Sequence, residues 1–236
     1  MPISVDQLAR LTRASPVTIR RDLTDLQGRG LLRRVHGGAV AVDLRGMPMP
    51  YALRAAENAP AKAAIARAVA ALVSDDMALV LDNGSTVTAV ADALTGRPLT
   101  AMCLSLRAAM ALGTGGSTDI VTPGGSVRGE SLHYGGAACL DALDGFRADL
   151  GIMGACSASP SHGLTSISSE DAQIKRAILA ASARVMLAVT GDKLSRTSSF
   201  RFGAFEDMDD LVTTPDAPAS MLDEIRAAGT RVHLAR

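Results

Sequence analysis

The sequence predicts an α/β protein in two unequal parts: a small basic head of helices and hairpin, and a larger body on a mostly parallel sheet. Three observations carry that expectation. The 236-residue chain is neutral, with 24 Lys or Arg against 24 Asp or Glu, but residues 1–45 hold eight basic and four acidic residues, leaving 16 against 20 for the rest. Apolar residues in the head recur at helical spacing in two short runs and are followed by a basic hairpin pattern. From Lys62 onward, apolar runs of strand length alternate with segments of helix length, which argues for an open sheet with helices on both faces.

Composition narrows the class. Hydrophobic residues make up 47% but aromatics only 3%, so the core must come from Ala, Val, Leu, Ile and Met. No apolar run approaches the ~18 residues of a membrane span, and no basic patch with an apolar stretch opens the chain as a secretory signal would. A cytoplasmic protein is expected. Cys103, Cys139 and Cys156 are odd in number and far apart. They read as buried thiols in a reducing compartment and not as a disulfide or zinc framework.

The first helix is expected over Ser4–Thr12, capped by Ser4 or Asp6, with Val5, Leu8 and Leu11 on one face. A tight turn with the small Ala14 follows. The second helix opens with Ser15 as cap and Pro16 at the first helical position, where its missing N–H is not needed. Ile19, Leu23 and Leu26 share a face, and Gly28 and Gly30 end the helix. "LLRRVHGGAV" then reads as strand, Gly-Gly turn and strand. Two short helices, a turn and a basic hairpin make a winged helix-turn-helix, whose second helix enters the major groove. Ser15, Thr18, Arg20 and Arg21 on that helix, and Arg33, Arg34 and His36 on the wing, are the candidate DNA contacts. Guanidinium groups there can clamp phosphates or the acceptors of guanine. A solvated amphipathic helix would explain the paired arginines alone, but not the cap, turn, helix and wing in succession.

The stretch from Ser4 to Val40, with "TIRRDL" and the later "HGGA", resembles the DNA-binding head of the DeoR family of bacterial transcriptional regulators. The family places a further helix ahead of the segment matching Ser4, where this chain has only Met1, Pro2 and Ile3. The resemblance therefore implies an incomplete, mobile head or a start lying upstream, with Leu8, Leu11, Ile19 and Leu23 partly exposed.

Residues 46–61, rich in proline, read as a connector between a head at 1–45 and a body at 62–236. "AKAAIARAVAALV" is an Ala-rich helix, and "MALVLDNGSTV" is a buried strand running into a Gly/Ser/Thr turn. Further strands are expected at Leu99–Leu104, Asp119–Thr122, Asp149–Gly154, Val185–Val189, Asp210–Thr213 and Arg231–Leu234. Helices are expected at Thr86–Leu94, Leu106–Leu112, Gly136–Leu143, Glu170–Ala183 and Ala219–Ala228. Ligands of such sheets bind outside the carboxyl ends of the strands.

The turn Leu81–Thr86 is the best placed for that chemistry. Gly84 permits a tight turn, Ser85 and Thr86 can face an anion at a helix start, and Asp82 can accept from sugar hydroxyls. A plain strand-to-helix cap explains the same residues equally well. The turns at 113–118 and 122–131 lack a phosphate-loop lysine or the dinucleotide glycine spacing and read as turns. Lys193 follows a strand and suits a phosphate, Lys175 lies near the start of a helix, and either alone is also consistent with a solvated lysine.

The body resembles the DeoR sensor domain, itself similar to the ribose-5-phosphate isomerase fold, whose members sense phosphorylated sugars or related intermediates. The resemblance implies effector contacts at Asp82, Gly84, Ser85, Thr86, Gly124, Gly125, Lys175 and Lys193, and it also matches Asp149 and Gly154. The chain departs from the family pattern at Cys103–Ser105, at Thr190, and at Thr213–Pro215, which points to a less hydroxylated effector or a degenerate site.

The expected function is a DNA-binding regulator, a repressor of carbohydrate metabolism genes, controlled by a phosphorylated sugar and acting as a homodimer or homotetramer. No catalytic, metal or cofactor site is expected. The rival is a sugar-phosphate isomerase or transferase with Asp82, Asp149, Glu170 or Asp171 as base. The basic head argues against it, since an enzyme has no use for one.

Overall fold

Ser4 opens the first helix in the computed structural model, which describes residues 3–28, 32–35, 37–41 and 49–236. Its hydroxyl accepts from Gln7 N while the Gln7 side chain accepts from Ser4 N, a reciprocal cap. The chain divides into two compact units, Met1–Met47 and Pro48–Arg236.

The first unit contains β1 (Ile3–Ser4), α1 (Val5–Thr12), α2 (Pro16–Gly28), β2 (Leu32–Val35) and β3 (Gly38–Ala41). Arg13, with φ of 56°, turns the chain after α1. Ser15 caps α2 by accepting from Thr18 N at 3.1 Å. The wing has a third strand that periodicity did not announce: β1 pairs antiparallel with β3, giving the order β1-β3-β2. That pairing explains one glycine and corrects the expected Gly-Gly turn. Gly38 belongs to β3 and only Gly37, with φ of 79°, belongs to the turn. A Cβ on Gly38 would meet Ile3 O at 2.1 Å, so only glycine lets β1 lie alongside. Val5, Ile19, Leu23 and Ala39 form the unit's core, backed by Leu8, Ala9, Ala14 and Leu32. Leu11 is 74% exposed, as expected, but Ile19 and Leu23 are buried, contrary to expectation. Gly30 and His36 lie outside the described residues.

The second unit runs in chain order through α3 (Tyr51–Ala56), α4 (Ala59–Leu72), β4 (Ala78–Leu81), α5 (Ser85–Ala93), β5 (Thr100–Cys103), α6 (Leu106–Gly113), β6 (Asp119–Val121), β7 (Val127–Arg128), β8 (His133–Tyr134), α7 (Ala137–Asp144), β9 (Leu150–Met153), β10 (Ser157–Ser159), β11 (Gly163–Ser166), α8 (Ser169–Ala181), β12 (Val185–Ala188), β13 (Phe200–Gly203), β14 (Asp210–Thr213), α9 (Ala219–Ala227) and β15 (Arg231–Leu234). Seven of these strands form one parallel sheet in the order β15-β14-β12-β9-β4-β5-β6. Strand side chains alternate between two cores. Val80, Met102, Met153 and Leu187 pack with Leu143 of α7, Ile174 and Ile178 of α8, and Ile225 of α9. Leu79, Leu81, Ile152 and Met186 pack with Ile65 and Val69 of α4, Val87 and Val90 of α5, and Leu112 of α6. Helices therefore cover both faces, as the alternation predicts.

Strand order reverses between β4 and β9. The chain lays β5 and β6 on one side of β4, and β9, β12, β14 and β15 on the other. This is the topological switch point, and in sheets of this kind ligands bind in the crevice there, outside the carboxyl ends of the strands.

Three regions of this unit depart from the expected pattern; one is the stretch around 122–131, read as a turn, where Val127–Arg128 pairs antiparallel with His133–Tyr134 as β7-β8. Residues 51–56, inside the stretch read as a connector, form α3, and α4 begins at Ala59, ahead of Lys62. Two of the three prolines responsible for that reading stand at helix starts: Pro50 flanks α3 as its N-cap and Pro60 lies in the first turn of α4, while Pro48 lies outside the described residues. The sheet β10-β11-β13 was also not expected, because its first two strands are built from Ser, Thr, Gly and Ala with few large apolar residues.

Candidate functional site

In the first unit, the surface of α2 carries the expected polar residues. Ser15, Thr18, Arg20 and Arg21 are all exposed. Ser15 and Thr18 share a hydrogen bond of 2.9 Å between hydroxyls, which shapes the start of the helix. Arg34 on β2 is exposed and donates to Thr24 Oγ1 on α2 at 3.3 Å, tying wing to helix. Arg33 is placed on β2 by its backbone, opposite Val40.

In the second unit, the crevice at the switch point is built by the turn after β4. Gly84 has φ of 125°, a conformation for glycine, and a Cβ there would meet no atom within 4 Å. Ser85 and Thr86 begin α5, whose first-turn amides have no intrahelical partner and carry the positive end of the helix dipole. Ser85 and Thr86 are both buried.

Behind this turn lies a buried charge network that the sequence only partly suggested. Lys175, 3% exposed, forms an ion pair with Asp82, 0% exposed, and donates to Gly154 O at 2.9 Å. Asp82 also accepts from Gly154 N at 3.0 Å, which joins the ends of β4 and β9. Asp171 lies 3.8 Å from Lys175 Nζ and accepts from Ser166 Oγ at 2.6 Å and Asn83 Nδ2 at 2.9 Å. Burial opposes a charged Lys175, but Asp171 and Asp82 outweigh it and hold its pKa above the ordinary lysine value. With two carboxylates to one lysine, burial pushes Asp82 upward. Asp82 and Lys175, expected as ligand contacts, thus satisfy each other and hold the floor of the crevice.

The lysines not paired with a carboxylate come from elsewhere. Lys193 sits on a 3₁₀ turn, Gly191–Ser195, after β12 and donates to Ala155 O at 3.1 Å. Lys62 on α4 is buried and donates to the carbonyls of Arg54 and Glu57. Burial pushes both lysines below the ordinary value, and Lys193 depresses Lys62 further. Lys62 was missed as a site residue, though spacing signals it. It stands at i on the stripe of Ile65, Ala66 and Val69, where a lysine has no place unless it meets partners.

Other expected residues are not brought together here. Gly124 and Gly125, with φ of 75° and 76°, are exposed on the loop after the edge strand β6, two strands from the switch point, where Gly125 packs against Ala138. Asp149 lies at the amino end of β9, where it accepts from Ala78 N at 2.8 Å, so it is removed as a candidate base at the crevice. Glu170 pairs with Arg128. At the departures from the family pattern, Cys103 and Leu104 are buried, Ser105 caps α6, and Thr190 donates to Asp192 at 2.6 Å. Burial pushes the Cys103 thiol up to about 12 and the Cys139 thiol up to about 11. Among the described residues, no helix is long and apolar enough to cross a membrane.

A winged helix-turn-helix with an exposed arginine pair, joined in one chain to a doubly wound domain with lysines grouped at its switch point, is the build of a DNA-binding transcriptional regulator. The profile of the DeoR-like helix-turn-helix domain matches residues 2–45, and that of the DeoR C-terminal sensor domain matches residues 57–214. The chain belongs to the DeoR family. It is 33% identical over 233 residues to the glycerol-3-phosphate regulon repressor of Haemophilus influenzae, covering 98% of this chain and 90% of that protein. It is 32% identical over 221 residues to the glycerol-3-phosphate regulon repressor of Escherichia coli, covering 93% and 87%. Among solved structures, ribose 5-phosphate isomerase A from Methanocaldococcus jannaschii aligns with a TM-score of 0.44 at 18% identity, over 58% of this chain and 55% of that one.

Proposed function

We propose that this regulator is a repressor of carbohydrate genes and that a phosphorylated sugar or polyol, bound in the switch-point crevice, controls its hold on the operator. The observation that carries this reading is the pairing of an anion-facing turn, Gly84–Thr86, with Lys193 and Lys62, two lysines without a carboxylate hydrogen-bonded to either ammonium among the described contacts. A phosphate dianion suits helix-start amides and desolvated ammonium groups. Asp82 and Lys175 set the floor, and Gly124 and Gly125 form a more distant rim. The naming of two relatives after glycerol 3-phosphate favours a small phosphorylated polyol, as does the scarcity of polar side chains after β5. Ser15, Thr18, Arg20, Arg21, Arg33, Arg34 and His36 contact DNA. The DNA-binding module is 1–45 and the effector module 62–236, and a cytoplasmic homodimer or homotetramer reads a symmetric operator. The enzyme reading is not favoured, because fold likeness alone carries no activity.

A thermal-shift panel of phosphorylated sugars and polyols, with glycerol 3-phosphate included, tests the reading. A ligand at 100 times its Kd stabilises by about 2.7 kcal/mol. A panel in which no phosphate ester shifts the melting temperature overturns it.

A further inference from the structure

The helix read as a connector is docked on the crevice by the crevice's own anion-binding groups. Ser85 Oγ donates to Arg54 O at 3.2 Å, and Lys62 Nζ donates to both Arg54 O and Glu57 O. These carbonyls close the last turn of α3, where a helix leaves acceptors without intrahelical partners and carries its negative end. The corner between α3 and α4 adds a third tie. Asn58, with φ of 53°, donates to Asp192 beside Lys193 at 3.3 Å.

The other end of α3 is held independently. Tyr51 N donates to Glu130 Oε1 at 2.6 Å, and the Arg107 guanidinium lies 4.1 Å from the centre of the Tyr51 ring.

We propose that docking of α3 and binding of a phosphate in the crevice are mutually exclusive: the anion takes the Ser85 hydroxyl and the Lys62 ammonium, and the carboxyl end of α3 is released. This rests on the reading of the crevice as a phosphate site. A hydroxyl has one proton to give, so a phosphate oxygen that accepts it leaves Arg54 O without that donor. A charged acceptor outcompetes a carbonyl for an ammonium. A six-residue helix does not persist without packing, so α3 unravels when it leaves. α3 is the helix of this unit nearest in sequence to the DNA-binding unit.

Linkage supplies the test. If docking competes with phosphate, then weakening the hold that phosphate does not use must raise phosphate affinity, because more of the protein is binding-competent. Hydrogen exchange on the full chain, with and without inorganic phosphate or glycerol 3-phosphate, reads both sites. Protection of amides 85–88 together with faster exchange at Arg54 and Glu57, which donate to Pro50 O and Leu53 O, is expected. In Tyr51→Ala, and in the milder Glu130→Gln should the first fold poorly, the Kd for glycerol 3-phosphate should fall about 5- to 10-fold. Protection at 85–88 with α3 equally or better protected, or an unchanged Kd in both variants, overturns the inference and leaves the phosphate site standing. No protection at 85–88 with either probe overturns both.

Discussion

Lys175 and Lys193 carry the same charge toward the same crevice, and their surroundings give them different work. Lys175 is enclosed with Asp82 and Asp171, and removing its ammonium strands a buried carboxylate. Lys175→Met should lower stability by ~3–5 kcal/mol, read by chemical denaturation; a loss within that of an ordinary surface substitution would contradict the pairing. Lys193 and Lys62 are pushed below the ordinary lysine value of 10.5 by burial. A bound phosphate favours their charged forms, so its binding takes up protons on the alkaline side. Affinity should rise as the phosphate loses its second proton near pH ~6. It should then fall, as pH increases through the lowered lysine values, earlier than an exposed lysine would allow. Calorimetric titration across pH measures this, and an affinity flat up to the ordinary lysine range is the contrary result. Residue type and strand-end position made Gly84–Thr86 and Lys193 legible in the sequence. The pairing of Asp82 with Lys175 was not, because 93 positions separate them and only the fold closes that distance.

Helix α2 presents Arg20 and Arg21 to solvent while Ile19 and Leu23 anchor the opposite side. Replacing a base-contacting arginine with Ala should cost ~1–3 kcal/mol and relax specificity at one position, whereas losing a phosphate contact should weaken all sequences alike and flatten the salt slope by about one. Binding isotherms at several salt concentrations separate the two, and full operator affinity in both variants would remove α2 from the interface. Helices and strands with strong apolar patterns were legible: the residues expected for β14 and β15 are those observed, and α5 to α9 fall within two residues of expectation at each end. Elements whose pattern is weak were not. β1 is two residues long, β10 is Ser-Ala-Ser, and α3 hid behind prolines that mark helix starts as readily as loops.

For the whole molecule, the charge split along the chain and the change of periodicity near residue 60 foretold a head and a body. The seven-stranded order could be anticipated only as a class, because strand neighbours depend on crossovers that local sequence does not encode. In the proposed function, a ligand in the body governs the grip of the head on DNA. The most direct measurement is fluorescence anisotropy of a duplex selected from a random pool by the wild-type protein, titrated with glycerol 3-phosphate and the other phosphate esters of the panel. The wild type should bind tightly and be shifted in affinity by at least one ester. Lys193→Ala should bind the same duplex equally well and not respond. DNA affinity indifferent to every ester, or a Lys193→Ala response equal to that of the wild type, would contradict control of the head by a phosphate held at Lys193.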